Sequence, residues 1–128
     1  MTATALDLSP QEWQAYHPAD GLRHLAINQP GAAERRRRAM RTARQLSALL
    51  KEQFKAQKVA LFGSLIHAQR FTATSDIDLA VWGLPPEHFY AAVAAVTGFS
   101  AEFQVDLVEV ESCSPTLRQV IEQENIPL

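Results

Sequence analysis

The sequence predicts a mixed α/β (α+β) fold, with a small central sheet flanked by helices. Three observations carry this. Short apolar runs with strand character (Lys58 to Phe62, Asp76 to Trp82, Phe103 to Val110) are separated by helical patterns. The middle run reads Asp, Ile, Asp, Leu, Ala, Val, Trp, the period of two of a half-buried strand. From Ala32 to about Gln57 there is no Gly or Pro, and Met40, Ala43, Leu46, Leu50 and Phe54 recur at helical spacing. At 128 residues, 47% hydrophobic and 20% charged, the chain has the size and composition of one globular domain.

Taken in order, Ser9-Pro10-Gln11-Glu12 reads as a helix start. Serine caps, proline suits the first helical position, and the glutamate three residues on completes a capping box. Turn-rich His17 to Gly21 keeps that helix short, and Trp13 and Tyr16 could staple it to the domain. After the long amphipathic helix, Lys58 to Phe62 reads as a buried strand ending at Gly63-Ser64. Residues 65–70 are expected to form one or two helical turns. In the Asp76–Trp82 strand, Ile77, Leu79 and Val81 share one face, and Asp76, Asp78 and Ala80 the other. Gly83 and Pro85-Pro86 stop it. Glu87 to Val96 is an Ala-rich helix with Gly98 as its cap. Phe103 to Val110 is the third strand. Ser114-Pro115 starts a last helix that runs to about Glu124.

Composition bounds the setting. No apolar run approaches the ~18 residues of a membrane span, and residues 1–10 lack the pattern of a signal peptide. Cys113 is the only cysteine, which excludes an intrachain disulfide and disfavours a cysteine zinc site. These points favour the cytoplasm. Residues 1–58 carry ten Lys/Arg against five Asp/Glu, whereas residues 59–128 carry two against nine. The basic half suits a polyanion, a nucleotide or an acidic partner.

The chemistry concentrates in the acidic half. Asp76 and Asp78, two apart on a strand, project from one face. Asp106 lies in the next apolar run, Val105-Asp106-Leu107-Val108. If the two strands are close, three carboxylates meet, and each disfavours ionisation of the others. A hard divalent cation, Mg²⁺ or Mn²⁺, relieves that repulsion and prefers oxygen ligands. Gly63-Ser64 supplies the complement. Glycine lets backbone N–H groups approach a ligand, and a helix starting at Ser64 would aim its N-terminus at phosphate.

Leu61-Phe62-Gly63-Ser64, Ser75-Asp76-Ile77-Asp78-Leu79-Ala80-Val81 and Val105-Asp106-Leu107-Val108 together resemble the minimal nucleotidyltransferase (MNT) domain of the DNA polymerase beta superfamily. The ending from Ser114-Pro115 to Pro127 is similar too. The resemblance covers roughly residues 45–128, leaving 1–44 as an N-terminal helical extension with an arginine-rich helix. It implies the nucleotidyltransferase fold and Mg²⁺-dependent transfer of AMP from ATP to a hydroxyl. Asp76, Asp78 and Asp106 would hold two metal ions, and Asp106 would help deprotonate the acceptor. Gly63 and Ser64 would bind the β- and γ-phosphates. Many members carry Arg-Gly three and four residues after the serine. Here those positions are His67 and Ala68, and Arg70 is the candidate to replace the missing charge. Many stand-alone members resemble antitoxins paired with a HEPN-type toxin, which they block by binding it or by attaching AMP to it.

Other readings stay open at this level. The acids could be exposed strand residues and Gly63-Ser64 a plain turn, or the site could be a degenerate one that only binds a partner. A small-molecule nucleotidyltransferase is a further alternative. Arg35, Arg36, Arg37 and Arg38, with Arg41 and Arg44, cover every side of a helical turn with only Glu34 nearby to balance them. Lys51, Lys55 and Lys58 extend the basic face. Such a run suits an acidic partner, nucleotide phosphates or, less favoured, nucleic acid. His17, His24, His67 and His88 show no metal-ligand spacing. Trp82, Phe89 and Phe99 are expected to pack as core or as the wall of a base pocket.

Overall fold

The computed structural model describes residues 31–128. The capping box at Ser9–Glu12 and the aromatic staple of Trp13 and Tyr16 lie outside the described residues. Helix α1 spans Ala32–Gln53 and buries Ala39, Ala43, Leu46, Ser47 and Leu50 on one stripe. The expected boundary between residues 44 and 45 therefore falls inside a continuous helix. The helix ends four residues before the expected Gln57. Lys55 takes a left-handed φ of 64°, the turn that usually stops a helix, and the Ala56 N–H donates to the Leu50 carbonyl at 3.0 Å.

Strand β1 (Lys58–Phe62) leads into a four-residue 3-10 turn, Gly63–Ile66. Strand β2 (Ile77–Trp82) runs antiparallel to β1. A short 3-10 segment (Pro86–His88) and helix α2 (Phe89–Thr97) then carry the chain to β3 (Val105–Glu109), which pairs with β2 in parallel. A crossover helix is what a parallel neighbour requires. Helix α3 (Pro115–Gln123) follows, and β4 (Ile126–Pro127) returns antiparallel to β1. The sheet order is β3-β2-β1-β4, so the expected α/β class with a small mixed sheet is what the chain forms.

Each face of the sheet has its own core. Val59, Leu61, Ile77, Leu79, Val81 and Val105 pack with the buried stripe of α1 and with Ala92 and Val96 of α2. Phe62 and Ala80 pack on the other face with Val110 and Ile121, flanked by Trp82, Val108 and Leu117. Thus α1 and α2 cover one side and α3 part of the other. The acids share the second side, where α3 leaves sheet exposed.

Several expectations need correction. Helix α2 begins at Phe89, because Pro85-Pro86 first forces a 3-10 segment. Gly98 ends it with φ at −92°, not in the left-handed region, while its N–H bonds to the Ala94 carbonyl. Phe99 is not part of the core, being 45% exposed. Trp82 and Phe89 pack on opposite faces of the sheet, so they share no wall. Strand β4 was not expected: two residues, one a proline, carry no periodic signal. Its pairing comes from the Leu128 N–H bond to the Val59 carbonyl at 2.9 Å and from the Lys51 ammonium on the Leu128 carbonyl.

Ser114 caps α3 as expected, its hydroxyl accepting from the Leu117 N–H at 3.2 Å. Ser114→Ala is expected to cost about 1 kcal/mol, read as a fall in melting temperature of about 4 °C.

Candidate active site

The parallel register sets Asp78 of β2 directly beside Asp106 of β3. The antiparallel register sets Phe62, the last residue of β1, beside Asp78 on its other flank. Residues paired in register point to the same face, and neighbouring strands lie about 4.8 Å apart. The two carboxyls therefore meet at the end of the sheet where β1 finishes and β2 and β3 begin. Asp76 lies just before β2. Its approach is built by a polar loop in which the Ser75 hydroxyl accepts from the Thr72 N–H at 2.9 Å, and the Ile77 N–H then bonds to the Gln104 carbonyl at 2.9 Å. The three acids that the sequence singles out are thus brought to one end of one face.

Their protonation records the crowding. Asp78 is pushed up to about 8, first by burial and then by the charges of Asp106 and Asp76 and a hydrogen bond with Asp106. Asp76 is also raised, by burial and by Asp106. The chain alone cannot keep all three ionised near neutral pH, the state in which a divalent cation is most strongly favoured. This donor set fits a hard cation. Among the described residues, no three acidic, histidine or cysteine side chains close around one point as a complete metal cage does. An open set suits an ion that completes its shell with water and substrate phosphates.

Gly63 sits against this cluster. It has a left-handed φ of 78°, and a Cβ built there would stand 2.3 Å from Asp78 Oδ2. Only a glycine lets the turn lie directly on the carboxyl. The expected helix from Ser64 is a single 3-10 turn starting at Gly63. Four residues give little helix dipole, so any phosphate affinity here rests on individual N–H groups and the Ser64 hydroxyl. His67 and Arg70 follow the turn, the His67 N–H bonding to the Ser64 carbonyl at 3.1 Å and the Arg70 N–H to the His67 carbonyl at 3.0 Å. His67 Nε2 lies 2.9 Å from Glu124 Oε2 but out of line for a hydrogen bond.

The arginine run departs from expectation. It is not an unbalanced basic patch, because Glu102, far away in sequence, reaches it. Arg38 makes a forked pair with Glu102 at 2.7 to 3.1 Å. Arg35 lies 4.6 Å from the Phe103 ring centre and 5.7 Å from that of Phe71, with Glu102 3.6 Å away. Arg37 pairs with Glu34. Arg36 alone turns to the Gly63–Ile66 segment, where its Nε donates to the Leu65 carbonyl at 3.0 Å. No sequence signal distinguished it from its neighbours.

Residues 44–128 match the family model of the polymerase beta nucleotidyltransferases. The chain belongs to this family. The polymerase beta match, the mixed sheet and the acid pattern agree with a nucleotidyltransferase domain of the minimal type. Among solved structures, the chain is similar to one in the crystal structure of a toxin-antitoxin with AMP-PNP. The two are 25% identical with a TM-score of 0.52, over 65% of this chain and 69% of that one. No curated protein is significantly similar in sequence. Among the described residues, no helix is long and apolar enough to cross a membrane.

Proposed function

We propose that this nucleotidyltransferase transfers AMP from ATP to a hydroxyl on a partner toxin protein of the HEPN type, and so acts as an antitoxin. The observation that carries the reading is the pairing of Asp78 with Asp106 beside a glycine turn packed on the same carboxyl. The toxin-antitoxin structure with AMP-PNP supports the choice of partner and nucleotide.

Asp76, Asp78 and Asp106 would hold two Mg²⁺ ions, with Mn²⁺ able to substitute. When bound, such a pair stabilises both the attacking and the leaving oxygen of an in-line displacement. Gly63 and Ser64 would bind the β- and γ-phosphates, with Arg70 adding positive charge. The acceptor hydroxyl oxygen forms a bond to the α-phosphorus while the bond to the bridging oxygen breaks. Pyrophosphate leaves, and Asp106 receives the hydroxyl proton.

The test combines the full chain, the protein encoded beside it, ATP and Mg²⁺, followed by intact-mass spectrometry. The expected result is a mass gain of one AMP on the partner, absent with the Asp76→Asn/Asp78→Asn double variant. A stable complex without mass gain would replace this reading with inhibition by contact. Mass gain on a free hydroxyl compound and not on the partner would make the protein a small-molecule enzyme.

A further inference from the structure

The four consecutive arginines do different work, and one of them is unaccounted for. Glu102 takes Arg38 and approaches Arg35, whose guanidinium lies over two phenylalanine rings; Glu34 takes Arg37. Arg36 has no acidic partner among the described residues. Its Nε is bonded to the Leu65 carbonyl, one residue beyond Ser64, and its two terminal amino groups have no acceptor there among the described residues. Those amino groups are not buried, so the planar fork is open at the edge of the turn and free to take an anion.

The topology explains why it stands at this place. Helix α1 ends at Gln53 and β1 starts at Lys58, so the helix folds back along the strand. Its first turns therefore reach the end of β1 where the Gly63–Ile66 turn sits. Residues 32–43 lie outside the family match, so Arg36 reaches the turn from the N-terminal extension.

The charge balance asks for such a group. A bound nucleoside triphosphate carries about four negative charges beside three carboxylates, more than two divalent ions neutralise. Near the turn, Arg70 supplies one positive charge on the reading above, and His67 is set against Glu124. Arg118 is held elsewhere, its guanidinium bonded to the Val110 and Glu111 carbonyls. Lys58 lies over Trp82, at the opposite end of β1.

We infer that Arg36 binds the terminal phosphates of a nucleoside triphosphate seated on the Gly63–Ser64 turn, making α1 part of the nucleotide site. The inference rests on the nucleotidyltransferase reading proposed above. It predicts discrimination by phosphate number, since AMP lacks the groups that Arg36 would reach.

The test is calorimetric titration of the full chain with ATP and with AMP, each in Mg²⁺, for the wild type, Arg36→Gln and Arg36→Lys. Arg36→Gln is expected to weaken ATP about 10- to 100-fold, the size of a charge-assisted contact, and to leave AMP affinity unchanged. Arg36→Lys should recover part of the loss. Equal weakening of both nucleotides, with a lower melting temperature, would mean that Arg36 only braces the turn. Unchanged ATP affinity would remove Arg36 from the site. A wild type that binds neither nucleotide would overturn the proposed AMP transfer itself, and this inference with it.

Discussion

Asp78→Asn is expected to abolish AMP transfer and, in the absence of metal, to make the protein more stable at alkaline pH. The sign follows from the carboxyl's environment. In the folded chain Asp78 is raised from 3.8 to about 8, whereas in the unfolded chain it titrates near its ordinary value. Between those limits the native state holds a proton that the unfolded state has released. Native stability therefore falls as pH rises from about 4 to about 8, and the loss is complete above that window. Asparagine carries no charge and is free of this loss. One pKa unit corresponds to about 1.4 kcal/mol. Coupling to Asp106 and Asp76 spreads the effect, so a gain on the order of 2 kcal/mol at pH 8.5 is expected, or roughly 8 °C in melting temperature. Near pH 4 the two proteins should melt together. If the carboxylates hold Mg²⁺ as proposed, the ion should reverse the order at pH 8.5, because it stabilises only the state that holds them together. Melting curves from pH 4 to 9, with chelator and with Mg²⁺, provide the check. A variant less stable than the wild type at pH 8.5 in chelator would show that Asp78 serves as an ionised structural group rather than as a strained metal ligand.

The same crowding explains why so much of the candidate site could be read from the sequence. Aspartate is disfavoured in strands, and two of them in a strict alternation with Ile77, Leu79 and Val81 mark a face that is neither core nor ordinary surface. Gly63 was legible for a related reason, since a glycine between a buried strand and a polar loop marks a close approach. The register was not legible. Whether Asp106 falls beside Asp78 depends on the length of the α2 crossover and on the packing of Ala92 and Val96 beneath the sheet, which are tertiary facts. The arginine run misled for the same reason. Four like charges in sequence read as one block, but a helix spreads them around its axis, so only Arg35 and Arg38 share an acid. Arg37 keeps its near neighbour Glu34, but the partners of the other three, Glu102, two phenylalanine rings and a carbonyl of the glycine turn, come from distant segments. Phe99 failed in the opposite sense: its hydrophobicity argued for burial, yet it follows the last turn of α2 and stays exposed.

Gly63→Ala is expected to damage both stability and activity, and a double-mutant cycle can separate the two causes. Alanine at a φ of 78° carries a left-handed backbone cost of about 1–2 kcal/mol wherever it sits. The new methyl also meets Asp78, with Oδ2 at 2.3 Å and Cγ at 3.2 Å. Something must shift. The Asp78 carboxyl can rotate away or the turn can lift, and either movement separates the backbone proposed to bind phosphate from the carboxylate proposed to bind metal. A displacement of about 1 Å at such a site lowers kcat/KM by about 100-fold. The melting temperature should fall by roughly 8 °C, for a combined cost near 2 kcal/mol. Asp78→Ala removes the atoms that collide but leaves the backbone strain. On that background the stability cost of Gly63→Ala should shrink, and the difference measures the collision alone. If Gly63→Ala costs the same with and without the Asp78 carboxyl, the turn does not lie on the acid cluster. The argument for a shared phosphate and metal site would then lose its geometric basis. If the cost shrinks, Gly63 is the point where the two halves of the site are joined, and its lack of a side chain is what allows them to meet.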